Sequence, residues 1–383
     1  MVATPTKEEM VVRAHALAPK LAARAADGER NRSVPEASIA DFLDGDFHRM
    51  LQPKRYGGYE LGWDALVETT LEFAQGCGSQ AWVFTVYGDH AQMLGLFEPE
   101  AQDEIWADDP RTLVSTSFQP LGKVARKDGG YVLSGKWPFS SGIDHARWLV
   151  AGAMLDGRHV YFLVPKSAAR IIDDWHVAGL AGTGSKSFAI EETFVPPHRM
   201  LSQADALAGT GPGTAINTAP IYRFPRRAAG TALGAVPIGV AIAMLDRFCA
   251  MAADRAKRGR RAGADPVTGL KISETASDLD CARWLVVDSA RRLMDALADG
   301  GVPSAELRAE VRRNQGYAAT LACRAAERIF ALAGGTALYL TNDLQRAFRD
   351  VHAGTQHHSV AWDVVAAPYG ALRLGHEIDL AML

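Results

Sequence analysis

Between Thr112 and Leu201 the hydrophobic pattern of this chain changes period. From Thr6 to about Asp108, and again from Arg227 onward, apolar residues recur at three-to-four spacing, the repeat of amphipathic helices. In between they alternate one by one, the repeat of half-buried strands. Helical and strand segments bury differently shaped apolar faces, so such a chain must pack helices beside a small sheet: α+β, mainly α. At 383 residues the chain is too long for one small core, yet no polar or low-complexity linker interrupts it. The pattern reads as three packed domains: helical over residues 1–111, β over 112–210, and a four-helix bundle over 211–383.

Local signals place the elements. Turns are marked at Lys54–Gly58 and Phe97–Pro99, and Pro99 suits the first turn of a helix running through Glu104 and Trp106. Lys123–Arg126, Asp128–Gly129–Gly130 and Tyr131–Trp137 spell a β-hairpin. His159–Pro165 reads as a buried strand, Ser187–Phe194 as a strand stopped by prolines, and Gln203–Pro220 as a loop. Four long helical patterns follow at Arg227–Ala256, Lys271–Ala298, Ser304–Ala333 and Asn342–Leu383, with Gly334–Gly335 as a C-cap.

A formal net charge of -3 argues against a nucleic-acid or anionic-membrane partner. No apolar stretch approaches the roughly 18 uninterrupted residues of a membrane span, and no signal peptide is visible, so a cytoplasmic protein is expected. Cys77, Cys249, Cys281 and Cys323 lie far apart without CxxC spacing, which reads as buried, reduced thiols and no metal site. Gly179–Ser187 (GLAGTGSKS) is not a phosphate loop: Ser185 separates Gly184 from Lys186, and a strand follows where a helix is needed. It reads instead as a turn of the β domain, with Trp175 upstream as an apolar lid or a core residue.

The order and length of these segments resemble the acyl-CoA dehydrogenase superfamily over nearly the whole chain. Four motifs carry the likeness: Thr116–Pro120, Lys136–Gly142 (KWPFSSG), Ala333–Tyr339 (AGGTALY) and Arg349–Thr355 (RDVHAGT). The resemblance implies a flavin lined by the first two from the β domain, bordered by the Gly179–Ser187 turn, and approached by the last two from the bundle. Ala353 occupies the register where the dehydrogenases commonly carry the glutamate that removes a thioester α-proton, and alanine cannot act as a base. The segment RDVHAGTQHHSVAWD instead places His352, His357 and His358 together, which resembles the monooxygenase branch: phenol-type and steroid-degradation hydroxylases and thiophene S-oxygenases fed with reduced flavin by a separate reductase.

That resemblance implies reduced FMN or FAD as cofactor, O2 as co-substrate, a separate NAD(P)H-flavin reductase, a small aromatic or polycyclic substrate, and a homotetramer or dimer. It implies flavin contacts at Trp82, Ser115, Thr116, Ser117, Phe139, Ser140, Ser141, Gly335, Thr336, His357 and His358. Among Arg255, Arg258, Arg260 and Arg261, Arg258 is the choice for the flavin phosphate; a solvated helix end fits those arginines equally well. No GxGxxG follows a strand anywhere, in keeping with electrons arriving from outside.

Reduced flavin and oxygen form a C4a peroxide that decays to hydrogen peroxide unless N5 is hydrogen-bonded and water is excluded. Ser140 and Ser141 can supply the hydroxyl, and the register does not separate them; Trp137 and Phe139 would wall the pocket. Imidazole suits protonating the peroxide or activating a phenol, which points first to His357 and then to His90. Tyr222 and Phe224 are expected to face the pocket. For a dehydrogenase with another base, the carboxylates to examine are Asp350 and Glu377, although Asp350 beside Arg349 reads as an ion pair.

Overall fold

The computed structural model describes residues 4–226, 232–257 and 265–379. Helix α1 (Lys7–Asn31) begins in a capping box, where Thr6 accepts from the Glu9 N–H at 3.2 Å and Glu9 accepts from the Thr6 N–H at 2.9 Å. Helices α2 (Glu36–Asp44), α3 (Trp63–Gly76), α4 (Gly78–Leu94) and α5 (Pro99–Trp106) complete the N-terminal layer, α5 opening on Pro99 as its sequence requires. Every residue of α4 is buried. Its polar residues therefore need partners inside the protein, and Trp82 and His90 both lie on it.

Among the described residues seven strands form one sheet: β1 (Val114–Lys127), β2 (Gly130–Ser140), β3 (Trp148–Leu155), β4 (Arg158–Pro165), β5 (Arg170–Ile172), β6 (Lys186–Val195) and β7 (Met200–Ser202), in the order β5-β6-β2-β1-β3-β4-β7. β1 joins two halves. Its first residues pair in parallel with β3, Val114 opposite Trp148, and its last pair antiparallel with β2, Lys123 opposite Ser134. Gly129, at φ 78°, turns β1 into β2, and Asp156 and Gly157, at φ 50° and 77°, turn β3 into β4 as a two-residue loop with both positive angles.

The C-terminal helices are α6 (Gln203–Ala208), α7 (Ala235–Lys257), α8 (Pro266–Leu297), α9 (Ala305–Ala333) and α10 (Asp343–Gly354). α6 falls where a loop was expected, because Ser202 caps it by accepting from the Asp205 N–H. The helix expected over Asn342–Leu383 ends at Gly354; Thr355 turns its hydroxyl onto the His352 carbonyl at 3.0 Å, and among the described residues only the short helices α11 (Trp362–Val365) and α12 (Ala367–Arg373) follow. The segment Ala232–Asp254 is long and apolar enough to cross a membrane, but here Val236, Ile238, Ala241 and Met244 are fully buried as core.

One hydrophobic core spans the helices on both sides of the sheet in sequence, so the N- and C-terminal helices pack as a single body. A second core lies within the β domain around Trp137, Phe162 and Phe188. Trp137 belongs there and not to a pocket wall: it is fully buried, stacks on Phe188 at 5.2 Å and donates to the Gly152 carbonyl at 2.7 Å. Of the four free cysteines only Cys77 is buried, and Cys281 is exposed.

Candidate active site

The site begins with a fault in a strand. The β2–β6 register slips between Trp137 and Ser140, and Phe139 sits at φ 61°, which carries its ring outward. Serines of β1 sew the displaced segment down: Ser117 donates to the Pro138 carbonyl at 2.6 Å and Ser115 to the Ser141 carbonyl at 2.8 Å. Ser115 has one proton, and a carbonyl can only accept it. Ser140, 2.7 Å from Ser115, must therefore be the donor in that pair. Ser140 is fully buried with its proton used, which leaves Ser141, half-buried, as the hydroxyl facing the opening. Gly142 (φ 71°) follows, and a Cβ there would lie 2.5 Å from Tyr87 Oη, which donates to the Gly142 carbonyl.

The same reasoning orients a longer row of hydroxyls. Thr183 donates to the Leu180 carbonyl at 2.8 Å, so it must accept from Ser185 at 2.7 Å; Ser185, its proton used, must accept from Ser141 at 2.7 Å. Trp82 Nε1 donates to Ser141 at 3.3 Å. Ser141 thus receives one hydrogen bond, gives one, and keeps its second lone pair free. Thr183 and Ser185, at 1% and 4% exposure, lie in the GLAGTGSKS turn, which the sequence places at the border of the site without singling out either side chain.

Trp82 also meets His357 edge to face, with ring centroids 5.6 Å apart, and so ties the serines to the segment after α10. His357 Nδ1 accepts from the Ser359 backbone N–H at 3.3 Å and lies 2.7 Å from its hydroxyl, which puts the proton of the neutral ring on Nε2. Burial, then the adjacent His358, pushes its pKa down to about 3. His357 is a neutral Nε2–H donor at any pH near neutrality.

His90 is neutral for the same first reason, its pKa lowered to about 4 by burial. Its Nδ1 donates to the Val114 carbonyl at 2.8 Å, so Nε2 accepts from Thr116 Oγ1 at 2.9 Å. Next to it, Asp89 is locked to Arg226 at 2.7 Å, both nearly fully buried.

The structure thus gathers Trp82, Ser115, Ser140, Ser141 and His357, with Thr116 on the same stretch of β1 as Ser115 and His90 of α4 bonded to Thr116. Phe139 is 60% exposed and meets Trp175 edge-on at 5.9 Å, so these two rings form the outer rim. His358 is exposed beside His357 at 4.5 Å. His352 turns away, toward Cys323 on α9. Gly335 and Thr336 lie apart: Thr336 lines an open groove of about 520 Å³ with Arg247, Tyr339 and Asn342, and nothing comes within 4 Å of a Cβ at Gly335. Arg258 lies outside the described residues. Tyr222 and Phe224 do not face the site. The first donates to the Leu51 carbonyl at 3.0 Å and the second stacks on Trp63 at 4.8 Å.

Among the described residues, neither carboxylate considered for a dehydrogenase makes a hydrogen bond with Trp82, Ser141 or His357. Asp350 makes no ion pair with Arg349, which binds Glu29 at 2.5 Å; it is buried and accepts the Leu180 N–H at 2.6 Å. Burial raises its pKa to about 6. Glu377 is exposed in the tail.

Residues 231–362 match the acyl-CoA dehydrogenase C-terminal domain family. Over 97% of its length the chain is 36% identical to the flavin-dependent monooxygenase oxygenase subunit HsaA of Rhodococcus jostii (strain RHA1), all of which it covers. It is 34% identical to the oxygenase component of the FADH2-dependent resorcinol hydroxylase of Rhizobium sp. (strain MTP-10005), over 91% of this chain and 90% of that one. The crystal structure of 3-HSA hydroxylase from Rhodococcus sp. RHA1 superposes with a TM-score of 0.93 at 34% identity, over 98% of this chain and 99% of that one. The chain belongs to the oxygenase components of two-component flavin-dependent monooxygenases, built on the acyl-CoA dehydrogenase fold and fed with reduced flavin by a separate reductase.

Proposed function

We propose that the chain hydroxylates a phenolic substrate in the space bounded by Trp82, Ser141 and His357. The observation that carries this reading is the convergence on Trp82 of a serine hydroxyl from the β domain and a neutral histidine from the bundle. The residues fit a flavin: the free lone pair of Ser141 suits the N5–H of the reduced ring, and the aromatic rim of Phe139 and Trp175 suits its apolar edge. A reduced flavin bound there would supply the activation of oxygen. Ser141 would accept from its N5–H. The neutral His357 would offer its Nε2–H as a hydrogen-bond donor toward the oxygen, and Trp82 keeps both side chains in place.

Thr116 and His90 are proposed to receive the phenol. Thr116 donates to His90, so its oxygen is free to accept a phenolic O–H and pass charge toward the imidazole. With its pKa near 4, His90 is a weak base that polarises the phenol more than it deprotonates it. Hydroxylated aromatics are named for the relatives, resorcinol among them, and support this choice. The exposed run Leu338, Tyr339 and Leu340, at 69%, 69% and 82%, borders the Thr336 groove and supports assembly into a homotetramer or dimer, to be read by mass photometry.

The test is rapid mixing of the anaerobic complex of protein and reduced flavin with oxygen, with resorcinol as probe. Product should form at the expense of hydrogen peroxide, and His357→Ala and Ser141→Ala should each reverse that partition by about tenfold or more. Partition unchanged in both variants would refute the site.

A further inference from the structure

The row of hydroxyls behind Ser141 has a fixed direction, and that direction has a chemical consequence. It starts at the Trp82 N–H, which can only donate, and ends at the Leu180 carbonyl, which can only accept. Between these ends Ser141, Ser185 and Thr183 stand 2.7 Å apart in succession, and each holds one proton. Only one arrangement satisfies every contact: Trp82 to Ser141, Ser141 to Ser185, Ser185 to Thr183, Thr183 to Leu180. Were Ser141 to turn its proton into the pocket, Ser141 and Ser185 would face each other as acceptors inside a buried site.

We infer that Ser185 and Thr183 are positioning residues that commit the Ser141 hydroxyl to accepting, and so make the flavin site select the reduced cofactor over the oxidised one. The inference rests on the reading that Ser141 meets flavin N5. Reduced flavin carries a proton on N5 and donates; oxidised flavin has only a lone pair there. A Ser141 whose proton is held by Ser185 satisfies the first and opposes the second. The device suits an enzyme that must take up flavin reduced elsewhere and release it once oxidised, since the discrimination sits in two side chains that need not touch the flavin.

The test is the ratio of dissociation constants for oxidised FMN and reduced FMN, the latter by equilibrium dialysis under argon, with FAD as a second series. Ser185→Ala removes the acceptor and lets Ser141 donate to oxidised N5. Thr183→Val, nearly isosteric, frees the Ser185 proton to point back at Ser141 with the same result. Both should lower the oxidised-to-reduced ratio about fivefold or more, chiefly by tightening oxidised FMN. Thr183→Ser keeps the hydroxyl and should keep the wild-type ratio. Ser141→Ala should abolish the preference that depends on N5. If Ser141→Ala does so while Ser185→Ala and Thr183→Val leave the ratio alone, the hydroxyl row does not set selectivity and this inference falls, with Ser141 still at N5. The inference falls too if Thr183→Ser behaves like Thr183→Val, since packing would then be responsible. No change in Ser141→Ala overturns the N5 reading itself. Should Ser185→Ala fail to fold by circular dichroism, Thr183→Val with its serine control decides alone.

Discussion

The indole N–H of Trp82 meets the Ser141 hydroxyl at 3.3 Å, and through that contact the buried helix α4 reaches the hydroxyl that the β domain presents to the pocket. Trp82→Phe keeps a ring against His357 but removes the donor. Global stability should fall by only about 1 kcal/mol, as for one neutral hydrogen bond. The product-to-peroxide ratio should drop several-fold, because Ser141 loses one of its two anchors; a single-turnover assay that counts both species reads it.

His357 is held neutral with its pKa near 3, so it should contribute no inflection to the pH dependence of hydroxylation between about pH 5 and 9. His357→Ala should lower the profile by about tenfold or more without changing its shape. An inflection present in the wild type and absent in the variant would show that the ring titrates during the reaction.

Depressed histidines also set acid sensitivity. His48, His90 and His357 have folded pKa values of about 4, 4 and 3. Above the ordinary value of about 6.5 they are neutral whether folded or not, and their contribution is whole. As pH falls below that value the unfolded chain binds protons that the folded chain refuses, and stability is lost progressively toward pH 4 and 3. Denaturant midpoints at pH 7, 5.5 and 4 should decline in that order, and His90→Gln should flatten the decline.

Asp350 runs in the opposite sense. Its folded pKa of about 6 exceeds the ordinary carboxylate value, so its contribution is present below that ordinary value and is lost as pH rises through 6. Asp350→Asn keeps an acceptor for Leu180 and carries no charge. Relative to wild type it should gain on the order of 2 kcal/mol between pH 4 and pH 7.5. Asp350→Ala should cost roughly 1–3 kcal/mol at pH 4, having stranded a buried N–H. Urea unfolding of the three proteins at both pH values separates these effects.

Gly142→Ala should be among the most damaging small changes. A Cβ there would stand 2.5 Å from Tyr87 Oη on a backbone at φ 71°. A loss of roughly 2 kcal/mol or more is expected, visible as a lower melting temperature.

Much of this was legible before any coordinates. The β1–β2 hairpin, the Pro99 helix start, the Gly334 stop and the strand ending before Pro196 follow from local chemistry that acts within a few residues. What stayed hidden depends on contacts far apart in sequence or on irregular backbone. Ser140 and Ser141 differ by which face a slipped strand gives them, and a one-residue slip exchanges faces. Ser185 looks like any turn serine until Ser141, far upstream, is beside it. Asp350 seemed to belong to its neighbour Arg349, but its partner Leu180 lies 170 residues away. Tyr222 and Phe224 were aromatic enough for a pocket, yet their hydrogen-bond and stacking partners lie in the helical core.

Leu180 is grasped on both of its flanking peptides: its carbonyl receives Thr183, and its N–H is held by Asp350 of α10. The two groups belong to the successive peptide planes that meet at the Leu180 Cα, so a displacement of that one residue would loosen both grips at once. The bundle therefore acts as the jig in which the β domain's hydroxyls are aligned, and the two cannot diverge separately. Transplanting this β domain onto a different set of helices would require residue 350 to travel with it, or a fresh anchor for residues 179–180.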